Sequence, residues 1–472
     1  MFSNKERVWG ITIPIGLVGM SVIYIFRQSR KRNERERVSD TRPGLTIADM
    51  RDPIIRANHI EFNKRLIEEY PEEDAIELVD DIAGNRVYLV HKHQRVLEVT
   101  NDHESFSSNP WPGRRSLVTL NTMNKSDHDR LFRIIRPFYT PSAISSIEGL
   151  LSNLIEEHGR ELLIDGDVYK FSKRLHMNLS LITSGVKVDA TPKCSMIDEF
   201  IRFNDNVVKI TAPLGGVGST VVYSCERIWN LMKGLVSSIP ETFSLIRRIG
   251  ILSTWQLLSP LEALFPSFPC TQIWEYPEDL ALVVKYFNRL YDCISTASME
   301  SPAGALFSRI NKDITAAEAL GTIVQLMVNM TTANAIQSFL FRRCSDAEVS
   351  PDMVLSFDAP LQRNPRRAVK DAIIGNVAIP KGSLILLMIG AANQDCPSDQ
   401  SSMTFGFGLH HCLGRHLVAL ELHKIDQWLT TCLEKYSMHV VEEPTRLTNI
   451  DVGNWGFQSL SIGFKPKKHS PK

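Results

Sequence analysis

The run Phe405-Gly406-Phe407-Gly408-Leu409-His410-His411-Cys412-Leu413-Gly414 is a glycine-hinged loop that delivers one cysteine to the start of a helix. Gly406 and Gly408 can take backbone angles closed to other residues, so the loop can fold tightly beneath a flat ligand. Main-chain N–H groups in such a loop point at the sulfur, and the following helix presents its positive end to it. Both effects lower the cysteine pKa and favour the anion that a metal needs. Two other readings of Cys412 stand beside this one. It fits a buried structural cysteine, since free cysteines are often fully buried. It also fits a zinc ligand shared with His410, His411 and His416. Structural zinc usually draws a second ligand pair from a separate knuckle, such as Cys-x-x-Cys, and no such knuckle occurs in this chain.

With 472 residues, 43% of them hydrophobic, the chain suits one large domain or two moderate ones. Lys plus Arg and Asp plus Glu number 53 each, and this balance gives no sign of a nucleic-acid partner. The eight cysteines are scattered singly, which fits a reducing compartment better than a disulfide framework. Val8 to Phe26 is uncharged and mostly apolar, long enough to cross a bilayer as a helix. Arg27, Arg30, Lys31, Arg32, Arg35 and Arg37 follow it, while only Lys5 and Arg7 precede it. The basic excess predicts a single-pass signal anchor with its C-terminal side in the cytosol. Arg42-Pro43-Gly44 reads as a stiff hinge behind it.

Further along, Glu77 to His91 predicts a hairpin turning at Gly84-Asn85. A helix is expected from Ser126 towards Pro141. Thr315 with Glu318 forms a capping box, opening an apolar helix that should run to Arg343 through the middle of the body. Asn329, Thr331, Thr332 and Asn334 interrupt its apolar surface and can bend it through bonds to the preceding turn. Gly375 to Ser383 predicts a turn and strand pair, and Leu384 to Met388 a buried strand. Leu214 to Thr220 is glycine-rich but lacks the lysine of a phosphate loop, and reads as a turn. Ile249 to Cys270 is apolar and broken by prolines, a membrane-dipping lid or ordinary core.

The spacing Phe405-x-x-Gly408-x-His410-x-Cys412-x-Gly414 resembles the haem-binding loop of the cytochrome P450 family, and the resemblance extends from the hairpin near Glu77 to Phe464. It implies a mainly α fold with a small β region, the cytochrome P450 fold, carried behind one N-terminal transmembrane helix. The expected layout is a tail over 1–7, the anchor over 8–26, a basic linker over 27–44, the haem domain over 45–466 and a tail over 467–472. The implied cofactor is haem b with the Cys412 thiolate on iron, set in a loop that includes Phe405, Gly408 and Gly414. The resemblance places His410, Arg366 and His128 as donors to the haem propionates. It places Thr331, with Asn329, on the distal helix where oxygen and protons are handled.

Several positions depart from the family pattern. The arginine four residues after His128 is Phe132, with Arg130 and Arg133 nearby. The acid before Thr331 is Met330, and the groove-opening glycine is Val328. The Glu-x-x-Arg pair that braces the cysteine loop is replaced by Met353 and Ser356, and the meander before Phe405 is short. The leading expectation is a monooxygenase of the endoplasmic reticulum membrane, its haem domain facing the cytosol. It would act on a lipophilic small molecule of secondary metabolism and draw electrons from an NADPH-dependent P450 reductase. A haem-thiolate isomerase, dehydratase, peroxygenase or nitric oxide reductase stays open, favoured by Met330. So does a haem-poor binding protein, favoured by Met353 and Ser356.

Overall fold

The computed structural model describes residues 44–46, 49, 58–82, 85–109, 120–121, 123, 125–186, 197–202, 239–250, 253–254, 277–328, 331–398, 400–446 and 455–467. The expected anchor over Val8–Phe26, the turn over Leu214–Thr220, most of Ile249–Cys270, Asn329 and Met330 lie outside them. Among the described residues no helix is long and apolar enough to cross a membrane.

Helix α1 (His59–Glu69) leads into strands β1 (Ile76–Ile82) and β2 (Asn85–Val90), which pair antiparallel as the hairpin expected from the sequence. After α2 (His93–Asn101) and the short β3 (Phe106–Ser107), helix α3 (Lys125–Ile135) covers the segment expected from Ser126. Two long helices follow, α4 (Glu148–Asp165) and α5 (Val168–Ser184), and later α6 (Pro277–Ser295). The apolar stretch after Thr315 forms α7 (Ala316–Val328) and α8 (Thr331–Ser345), on either side of positions 329 and 330. Its capping box is present: Thr315 N donates to Glu318 Oε2 at 2.7 Å and Glu318 N to Thr315 Oγ1 at 3.1 Å.

Helix α9 (Pro351–Phe357) precedes β4 (Arg363–Ala368), the hairpin β5 (Ala372–Ile374) and β6 (Val377–Ile379), and β7 (Leu384–Met388). Then come α10 (Ile389–Gln394), the cysteine loop, α11 (Arg415–Lys435) and four short strands, β8 (Tyr436–Val440), β9 (Thr445–Arg446), β10 (Phe457–Ser459) and β11 (Ile462–Pro466). One five-stranded sheet runs β1-β2-β7-β4-β3, with β2 and β7 parallel. Every residue of β7 is buried. Its continuous apolar run is explained by cover on both faces: Leu384 and Leu386 pack with Val87 and Leu89 on one side, and Ile385 and Leu387 with Tyr88 and Val90 on the other.

Two helical cores fill the rest. Leu131, Ile135, Met177, Leu290 and Leu320 join α3, α5, α6 and α7. Ile155, Leu175, Phe339 and Ile425 join α4, α5, α8 and α11. Leu413, next to the candidate ligand, packs against both cores, so the cysteine loop enters the body at their junction.

Candidate active site

The cysteine loop opens in a 3-10 turn, Met403–Phe405. It passes Gly406 at φ 65° and Gly408 at φ 67°, both in the left-handed region, and returns so that Cys412 N donates to Phe405 O at 2.8 Å. Gly408 is constrained twice, because a Cβ there would sit 2.8 Å from Asn101 Oδ1 and 3.2 Å from Thr100 O on α2. Gly414 is the N-cap of α11, which starts at Arg415.

The expectation of an acidic thiol is only partly met. Burial pushes the Cys412 thiol up, while the main-chain N–H groups of Gly414 and Arg415 and the Arg415 charge oppose it. The loop therefore aims its dipoles as the sequence implied, but desolvation wins until a cation binds the sulfur. The neighbouring histidines diverge. His411 stacks with Phe407, ring centroids 6.1 Å apart, whereas the His410 Nε2 lies 2.9 Å from Ser108 Oγ. Among the described residues no three His, Cys, Asp or Glu side chains gather as a metal site, which removes support for the zinc reading.

Three elements bring cationic or donor side chains together beside this loop. His128 of α3 and His410 meet edge to face with ring centroids 5.1 Å apart. Both are buried at Nδ1, where neither has a well-formed hydrogen bond among the described residues, the Leu120 main chain standing near His410. Asp129 Oδ1 stands 3.6 Å from His128 Nδ1, too far for one. Arg366, on β4, is buried, and its charge is among the groups that hold His410 neutral. Burial first, then Arg366 and His128, push the His410 pKa down to about 3. Arg366 itself is pushed down to about 10 by burial alone, with no carboxylate contributing. Among the described residues its Nη1 donates to Asn364 Oδ1 at 2.7 Å and Pro365 O at 2.9 Å, both neutral acceptors. A buried guanidinium beside two underused imidazoles is costly unless an anion completes it. The cluster fits a dianionic group, as haem propionates would be, so the residues present suit haem.

The two arginines near Phe132 do not join this cluster. Arg130 instead clamps α3 to the cap of α7, its Nη2 2.5 Å from Glu318 Oε1 and its Nη1 2.6 Å from Asp313 O. Arg133 Nε donates to Asp129 O on the surface. Phe132 stacks on His128 with centroids 5.2 Å apart, fixing the imidazole by packing rather than adding charge.

Thr331 is the first residue of α8, half-buried, with Thr332 and Asn334 buried behind it. Deeper in α8, Gln337 donates to Ser172 Oγ and accepts from Phe457 N, each at 2.9 Å. That pairing explains a polar residue inside an apolar helix as a tie between α5 and β10.

On the underside, Met353 is 45% exposed and Ser356 contributes only its carbonyl. Two connections missed by sequence reasoning take their place. Buried Asp358 receives Arg342 Nε at 3.1 Å and lies 3.1 Å from His59 Nε2, which ties α8 and α1 to the end of α9. Asn393 of α10 donates to Ser356 O at 2.8 Å and Thr404 Oγ1 at 2.9 Å, and accepts from Met403 N at 2.6 Å. Thr404 Oγ1 in turn donates to Leu355 O.

A glycine-hinged cysteine under a buried, anion-seeking cluster, on a mainly helical body with a five-stranded sheet and three two-stranded ones among the described residues, defines a haem-thiolate protein. The comparisons agree. No family model matches the chain. A beta-dihydromenaquinone-9 omega-hydroxylase of Mycobacterium bovis is 31% identical over 455 residues, covering 90% of this chain and 79% of the relative. The cytochrome P450 133B1 sequence of Xylella fastidiosa is 30% identical over 212 residues, 39% of this chain. There and in the related 133B2 sequences, the chain spans about half the length of the relative, 50% and 48%. In fold the chain is similar to P450BioI in complex with an acyl carrier protein, at a TM-score of 0.64 and 16% identity over 88% of this chain and 100% of that one. It is similar also to CYP108D1 of Novosphingobium aromaticivorans, at 0.63 and 15% over 89% and 98%. The chain belongs to the cytochrome P450 family.

Proposed function

We propose that the chain is a membrane-anchored haem-thiolate monooxygenase that oxidises a lipophilic small molecule with electrons from an NADPH-dependent reductase. The observation that carries this reading is the convergence of the Cys412 loop with His128, His410 and Arg366. When bound, haem supplies reduction of dioxygen and transfer of one oxygen atom to carbon, with the balance RH + O2 + 2e⁻ + 2H⁺ → ROH + H2O.

The chain's residues do the rest. Cys412 would hold the haem iron through its thiolate, and the loop dipoles at Gly414 and Arg415 would help to hold that charge. His128, His410 and Arg366 would hold the propionates. Thr331 holds a proton-carrying hydroxyl where α8 begins, with Asn329 two positions before it in sequence. Leu320, Ile323 and Met327 of α7 are buried in apolar packing and keep water from that side. An apolar substrate is supported by the Mycobacterium relative, named as hydroxylating a menaquinone. A single-pass position in the endoplasmic reticulum membrane, facing the cytosol, is supported by the apolar run Val8–Phe26 and the basic residues behind it. A role in secondary metabolism goes with that reading.

Met330, in place of an acid, favours a second reading: haem-thiolate chemistry without oxygen insertion. The test is turnover of apolar candidate substrates in membranes carrying the reductase and NADPH under isotopically labelled O2. Label in an alcohol product, dependent on reductase, supports the monooxygenase. Turnover that needs no reductase and leaves the label out of product overturns it in favour of the second reading.

A further inference from the structure

We propose that Asn393, acting through Thr404, is the positioning residue that sets Cys412 for metal ligation. This inference rests on the reading of Cys412 as the thiolate ligand. The connection is short and continuous. The Asn393 amide is 7% exposed and uses all three of its strong bonds in one direction. Both N–H donors go to the end of α9 and the loop hydroxyl, through Ser356 O and Thr404 Oγ1, while its oxygen takes Met403 N. The Thr404 hydroxyl donates its own hydrogen bond to Leu355 O. The 3-10 turn Met403–Phe405 is therefore pinned at its first residue and its second, and Gly406 N closes it on Met403 O at 2.9 Å. The third residue of that turn, Phe405, supplies the carbonyl that takes Cys412 N at 2.8 Å. The height of the sulfur thus depends on a turn that Asn393 holds.

The network consists of an amide, a hydroxyl and main-chain groups, none of which ionises. It occupies the place where the side chains of Met353 and Ser356 provide no ion pair, since Met353 faces solvent and Ser356 gives only its carbonyl. A closed neutral network is rigid because each member's loss leaves its partners buried and unsatisfied. Asn393→Asp keeps the shape and the acceptor for Met403 N but removes both donors and sets a carboxylate against Ser356 O. Thr404→Val keeps the volume and removes the hydroxyl, while Thr404→Ser retains it.

The readout is the reduced carbon monoxide spectrum of the full chain, as the ratio of non-thiolate to thiolate Soret bands, beside thermal unfolding of the same samples. Asn393→Asp and Thr404→Val should each raise that ratio about tenfold, about 1.4 kcal/mol, and Thr404→Ser should restore it. Asn63→Ala serves as the structural control. It removes another buried amide, which packs beside Gly390, on the same helix α10 as Asn393, but donates to Gln362 Oε1 at 2.8 Å and not to the cysteine loop, and should lower stability without moving the ratio. Loss of the thiolate band in every variant in proportion to lost stability, Asn63→Ala included, overturns the proposal. So does an unchanged ratio in folded Asn393→Asp and Thr404→Val. If the wild-type chain shows no thiolate band that Cys412→Ala removes, the reading of Cys412 itself fails, which is a separate result.

Discussion

The imidazoles of His128 and His410, 282 residues apart in sequence, meet edge to face at 5.1 Å, each with a buried Nδ1 that has no well-formed hydrogen bond among the described residues. Arg366 adds a buried guanidinium to the pair. Such an arrangement is unfavourable alone and favourable once an anion occupies it, so its residues should act oppositely on the empty and the loaded protein.

Arg366→Met is therefore expected to raise the melting temperature of the haem-free chain, because it removes a charge that burial alone depresses to about 10. The same variant should lose haem several-fold faster to an acceptor apoprotein. Scanning calorimetry of the haem-free protein and haem-transfer kinetics check the two halves. A variant that destabilises both forms alike would mean that Arg366 is only a structural donor.

Arg130→Gln should behave differently. It breaks the contacts to Glu318 and Asp313 O and should cost about 2 kcal/mol of stability. Haem transfer should be unaffected, since the guanidinium holds α3 to α7 and not to the cofactor site. Denaturant unfolding beside the haem-transfer assay separates the two.

Sequence carried the loop and its cluster but not the braces, for a physical reason. Cys412, His410, Arg366 and His128 sit in fixed local contexts (a glycine hinge, a strand and a helix), so matching spacing was enough to find them. Phe132 reads from sequence only as the loss of an arginine with Arg130 and Arg133 nearby; that Arg130 turns to Glu318 and Phe132 to His128 depends on what α7 and the cysteine loop present to α3. Asn393 falls just beyond the strand expected over Leu384 to Met388, and nothing in its local sequence marks a brace. Its role arises from Ser356, Met403 and Thr404 being folded around it. The hairpin, β7 and the capping box were legible since a glycine turn signal, a continuous apolar run and capping chemistry are local.

Gly408→Ala should lose more than about 1 kcal/mol, since it places a side chain at positive φ. Asn101 Oδ1, 2.8 Å from the new Cβ, adds to the cost. Combining it with Asn101→Ala should recover part of the loss, leaving the backbone strain and the contact with Thr100 O. Melting temperatures of the two single variants and the double give the coupling.

Acid should destabilise the fold through its buried histidines. Burial pushes His59, His91 and His158 below their ordinary value of 6.5. Below that pH the unfolded chain takes up protons that the folded chain resists, so the unfolded state binds more of them and stability falls as pH falls. The contribution is full above about pH 7 and is lost progressively beneath about 6.5. Unfolding midpoints of the haem-free protein between those limits and about pH 5 should fall, and His91→Gln should flatten the slope. A midpoint that holds steady or rises on acidification contradicts it.

The central claim is tested most directly by the carbon monoxide difference spectrum of the reduced, membrane-expressed chain beside Cys412→Ala. A thiolate-type Soret band in the wild type, absent from the variant, is the expected result and places the metal on Cys412. A folded wild-type protein that holds no haem, or whose band survives Cys412→Ala, would contradict the account.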